Sequence, residues 1–69
     1  MDVYKIGDEI NVGYYGGYKH SALIKTTARV YDISNNLIYI RVRIPSGGTK
    51  KMFGYENELS QMEENWNVE

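Results

Sequence analysis

A chain of 69 residues with no cysteine and one histidine has room for a single hydrophobic core and cannot close a disulfide or assemble a His/Cys metal centre. Its formal net charge of −1 conceals a split: residues 1–54 carry all eight Lys and Arg against four carboxylates, while residues 55–69 carry five glutamates and no basic residue. No apolar run reaches the ~18 residues of a membrane span and the start lacks a basic-then-apolar signal pattern, so the expectation is a soluble, cytoplasmic protein.

In chain order, a short lead with Val3, Tyr4 and Ile6 reaches a Gly7-Asp8 turn, after which Ile10, Val12 and Tyr14 alternate with small or polar residues as a first strand. The stretch Gly13–His20 holds three glycines and three tyrosines and reads as a loop with a permissive backbone and large side chains. A second strand runs from about Ala22 to Ile33, rich in β-branched residues. Ser34-Asn35-Asn36 carries hairpin chemistry.

The third strand, Leu37–Ile44, is the clearest signal in the chain. Ile38, Ile40, Val42 and Ile44 alternate with Tyr39, Arg41 and Arg43, so the aliphatic row enters the core and the Tyr/Arg row stands on the other face. Pro45-Ser46-Gly47-Gly48 ends that strand and reverses the chain into a fourth, Thr49 to about Tyr55. Glu56–Leu59 reads as one short helical turn, Ser60–Met62 as a brief closing strand, and Glu63 onward as an aperiodic acidic tail containing Trp66.

The start Ile6–Val12, the centre Ala28–Ile33 with Leu37–Val42, and the ending Lys51–Leu59, with its Glu56-Asn57-Glu58-Leu59 turn, resemble the small SH3-like barrels, Tudor-like or KOW-like, of bacterial and phage proteins. That resemblance covers most of residues 6–62. It implies an all-β, partly open barrel of about five strands over residues 1–62, with residues 63–69 as a tail. It also implies a binding module whose ligand surface is built from loops and exposed aromatics.

No constellation for catalysis is present. Four serines are scattered, and His20 beside Lys19 and Ser21 reads as a surface histidine, so a non-enzymatic protein without metal or cofactor is expected. The letters Gly13-Tyr14-Tyr15-Gly16 match a GxxG clamp but follow a strand rather than join two helices. The Glu56/Glu58 and Glu63/Glu64 pairs read as solvated carboxylates.

Two binding surfaces remain. The first reading is a protein-interaction module, of the kind a small phage-type effector uses on a host protein. It is anchored by Tyr15 and Tyr18, flanked by Tyr39, Arg41 and Arg43, and has Trp66 as a second contact, while strand parity turns Tyr14 inward. The alternative is nucleic-acid binding on a basic, aromatic sheet face through Lys25, Arg29, Tyr39, Arg41, Arg43, Lys50 and Lys51, with Tyr31 sharing the strand parity of Lys25 and Arg29. A core of this size rarely supplies more than about 3–5 kcal/mol, so a homodimer also belongs among the expectations.

Overall fold

The computed structural model describes residues 3–68 apart from the side chain of His20, so the reading of that histidine as a surface residue lies outside what is described. Four antiparallel strands form one meander in the order β1 (Glu9–Gly16), β2 (Ala22–Ser34), β3 (Leu37–Arg43), β4 (Thr49–Gly54). A C-terminal helix, α1 (Glu56–Trp66), follows directly.

The alternating residues place the core as their parity requires. Ile38, Ile40 and Val42 are buried while Arg41 and Arg43 are exposed, and Val12, Tyr14, Ala28 and Val30 complete the inner face of the sheet. Ile44, just past the end of β3, is half-buried. The β2–β3 turn is a two-residue hairpin between Ser34 and Leu37, with Asn35 and Asn36 at φ 52° and 69°. Positive φ at both central residues is the type I′ arrangement, whose twist matches that of the flanking strands.

Between Val30 and Asp32 the β2–β3 register slips by one residue. The resulting bulge sets Tyr31 and Asp32 against Tyr39 and returns Ile33 to the inward parity opposite Ile38. The lead is tied to the same strand, Gly7 N–H donating to the Val30 carbonyl (2.8 Å) and Val30 N–H to the Asp8 carbonyl (2.9 Å).

Three expectations are corrected. The strand count among the described residues is four rather than five, because Ser60–Met62 is the middle of a helix and not a closing strand. The single turn expected at Glu56–Leu59 continues to Trp66, so the segment from Glu63 belongs for the most part to α1. Leu59, Met62 and Trp66 are spaced three and four apart, and no Gly, Pro or β-branched residue interrupts 55–67, which permits a helix once a surface exists to receive that stripe. Glu58 supports its start by accepting the Tyr55 N–H at 3.0 Å, and Glu56 and Glu58 lie in the first turn, where the helix dipole favours them. The third correction is to the Gly13–His20 loop: β1 runs on through Gly16, paired with Ala22, and the chain leaves the sheet only at Gly17 (φ 77°, ψ −164°) before a short 3₁₀ turn at Tyr18–His20.

Hydrogen bonding leaves the sheet open, with β1 and β4 as its edges among the described residues. It nevertheless coils inward: Lys50 of the edge strand β4 reaches to 5.7 Å from the Tyr14 ring centre of the opposite edge strand β1. Helix α1 packs chiefly against β1 and seals the inner face with Leu59, which is fully buried. Among the described residues no helix is long and apolar enough to cross a membrane.

Tyr4 pins the lead to α1. It is buried, and its hydroxyl donates to Glu63 Oε2 (2.5 Å) with Ser60 Oγ at 3.4 Å. Burial, and then the hydrogen bond to the Glu63 carboxylate, push its pKa from 10.0 up to about 12, since both penalise the phenolate. Because the folded value lies above the unfolded one, this stabilisation is whole below pH 10 and is lost as the pH climbs through about 12. Over that range the wild type is expected to lose up to about 2–3 kcal/mol more than Tyr4→Phe in urea unfolding. Parallel pH profiles for the two proteins would contradict this pairing.

Candidate functional site

The face of the sheet turned away from the core carries two adjoining rows. One crosses all four strands in register: Glu9 opposite Arg29, Arg29 opposite Arg41, and Arg41 opposite Lys51. Like charges directly opposite each other cost roughly 0.2–1 kcal/mol per pair. Only the Glu9–Arg29 salt bridge offsets this among the described residues, and it is itself exposed, which makes it weak. Arg43, two residues along β3 from Arg41 and opposite Thr49, extends the positive field. Arg29, Arg41 and Arg43, together with Glu9, Thr27, Ala28 and Thr49, line a shallow cleft of about 280 Å³.

The second row is aromatic. Tyr39 of β3 sits opposite Phe53 of β4 with ring centres 5.8 Å apart, and the β2 bulge brings Tyr31 to 6.2 Å from Tyr39. Arg41 joins the rows, its guanidinium 5.2 Å from the Tyr31 ring centre. The Phe53 ring is 67% exposed, an apolar plate left facing water although its strand neighbour Met52 is packed on the core. Such a surface can do two things chemically: offer flat π-faces to a planar group, and pair anions spaced along a strand of charge.

The structure therefore brings together Arg29, Tyr31, Tyr39, Arg41, Arg43 and Lys51. It adds Phe53, which the sequence reading passed over although its parity with Lys51 and against Met52 marks it as outward-facing.

Other expected members stand elsewhere. Lys25 shares the outer parity, opposite Gly13, but its ammonium donates to the Val68 carbonyl, so the C-terminal segment occupies it. Lys50 is opposite Val42, on the core-facing parity, and lies over Tyr14. Tyr14 is buried, as its parity requires.

Tyr15 and Tyr18 are 53% and 85% exposed at the β1–β2 hairpin tip. Tyr15 pairs with Leu23, six residues along β2 from Arg29 and hence roughly 20 Å away at about 3.3 Å per residue. The proposed flanking residues Arg41, level with Arg29, and Tyr39, further along β3, thus stand apart from the tyrosine anchors, while Arg43, level with Thr27, is the nearest of the three at roughly 13 Å along the strand. Trp66 is the half-buried last residue of α1 rather than part of a free tail.

No family model, curated protein or solved structure matches this chain. Its functional reading rests on the placement of these side chains.

Proposed function

We propose that this chain is a non-enzymatic module that binds single-stranded nucleic acid on the outer face of its sheet, carried by a partly open SH3-like barrel. The observation that carries this reading is the contiguity of three aromatic rings, one from each of β2, β3 and β4, with an in-register row of Arg29, Arg41 and Lys51. Bases stack on exposed Phe and Tyr faces irrespective of sequence, and cations beside them meet the phosphates. The cross-strand repulsion among Arg29, Arg41 and Lys51, offset only at Arg29 by Glu9 among the described residues, makes sense on a surface that receives a polyanion, because a bound strand relieves it. The inward coil that carries Lys50 over Tyr14 supports the barrel-like body.

The test is fluorescence anisotropy of a labelled single-stranded oligothymidylate titrated at several salt concentrations. With up to four cations at the strand, the slope of log K against log salt is expected near −2 to −3, at about −0.7 per phosphate neutralised. Arg41→Ala should flatten that slope by about 0.7. Phe53→Ala should leave the slope unchanged and weaken binding about 5- to 150-fold, the worth of one base stack. Absence of binding at low salt, or full affinity in Phe53→Ala, would remove the reading.

A second reading, protein binding, is favoured by one observation: Tyr18 at the hairpin tip is the most exposed large apolar side chain among the described residues. On that reading Tyr18→Ala leaves the fold intact and abolishes capture of a partner from lysate, while leaving oligonucleotide binding untouched.

A further inference from the structure

A second concave surface lies between the β2–β3 turn, the lead and the first turns of α1. It has a volume of about 680 Å³, with Tyr4, Ile33, Ile38 and Tyr55 in its walls and Glu56 and Glu64 on its helical side, and no Lys or Arg lines it. Two other glutamates of the same helix are already engaged, Glu63 by the Tyr4 hydroxyl and Glu58 by the Tyr55 N–H. The side-chain carboxylates of Glu56 and Glu64 have no hydrogen-bond or ion-pair partner among the described residues. A complementary occupant therefore carries an exposed apolar knob flanked by positive charge.

This chain presents that combination on its own outer face: Phe53, 67% exposed, two residues from Lys51 and on the same face as Arg41. We propose that the occupant is a second copy of the chain, whose Phe53 inserts between the aromatic and aliphatic walls while its Arg41 and Lys51 meet Glu56 and Glu64.

Platform and groove are different surfaces, so the contact is heterologous. Each docked copy leaves one platform and one groove free, and copies add head to tail. A contact of groove size stays below the ~1,200 Å² of a standard interface and depends on exposed charges, so association is weak, concentration-dependent and reversed by salt. It does not require the platform to bind nucleic acid, and it is tested without any.

The experiment is sedimentation equilibrium of the whole chain over roughly a hundredfold concentration range, at low and at high salt. The average mass of the wild type is expected to rise with concentration at low salt and to return to the monomer value at high salt. Glu56→Lys/Glu64→Lys and Arg41→Glu/Lys51→Glu are each expected to remain monomeric, and the chain carrying all four reversals is expected to associate again. All four side chains are exposed, so the variants should keep the native circular dichroism. Phe53→Ala, which changes no charge, should weaken association about tenfold and serves where a reversal perturbs α1. A wild type monomeric throughout at low salt would overturn the proposal. So would association that persists unchanged in both single-surface variants, the result expected if two β4 edges pair instead.

Discussion

Leu59→Ala is expected to leave the chain unfolded, or nearly so, at room temperature. Leu59 is the one side chain of α1 that is fully buried, and its Cδ2 sits 3.3 Å from where a Cβ on Gly54 would stand, so it is wedged onto the end of β4. Truncating a buried leucine costs about 2–5 kcal/mol, from lost burial and from the cavity left behind. A domain of this size holds only about 3–5 kcal/mol in total, so the substitution removes most or all of it. Phe53→Ala removes a larger side chain from an exposed position and should cost only about 1 kcal/mol at most, the worth of its cross-strand pair with Tyr39. Urea titrations of the two variants followed by circular dichroism make the comparison. A Leu59→Ala protein with a midpoint near the wild-type value would show that α1 is an appendage and not a wall of the core.

The second large effect is expected at Gly13. A Cβ there would lie 2.8 Å from the carbonyl carbon of Asn65, 2.9 Å from its Cβ and 3.0 Å from its oxygen, distances that demand movement of helix backbone. The same approach lets the Asn65 side-chain amide donate to the Gly13 carbonyl at 3.2 Å, which covers part of an otherwise open sheet edge. Gly13→Val should therefore destabilise by about 1–3 kcal/mol through overpacking. Valine is the better strand former and offsets at most ~1 kcal/mol of that. The last turns of α1 should release first, read as loss of amide-exchange protection at residues 61–66 before any loss in β2 or β3. A stabilised Gly13→Val protein would mean that the helix does not lie against β1.

These two positions show where local reading stops. The alternation of residues 38–43 and the Asn35-Asn36 turn are decided within a few residues of themselves, by the two-residue period of a strand and by the backbone freedom of Asn. The outward placement of Tyr39, Arg41 and Arg43 follows from the same period. The helix was harder to see. Leu59, Met62 and Trp66 are a thin stripe in eleven residues, and a short helix gains most of its stability from what it packs on. Until the meander coils, that stripe has nothing to cover.

The candidate site divides along the same line. Parity alone puts Lys25 and Arg29 together, and it leaves Lys50 and Lys51 undistinguished at the head of β4. The register that pairs Lys51 with Arg41 is what sends Lys50 to the inner face, since a slip of one residue would exchange the two. Phe53 was within reach of the sequence by its parity against Met52. The arrival of Tyr31 beside Tyr39, which extends the aromatic row begun by Phe53, depends on a bulge that no local pattern announced.

What the sequence by itself determined, then, is which side chains of β1 and β3 face water, because a strand's faces are set by neighbouring residues along one chain. Which of those outward side chains become neighbours was decided only in three dimensions. Inter-strand register, the β2 bulge and the docking of α1 are choices among distant segments, governed by how the whole inner face packs around Val12, Val30, Ile40, Val42 and Leu59. The grouping of Arg29, Arg41 and Lys51 beside Tyr31, Tyr39 and Phe53 is a product of that packing.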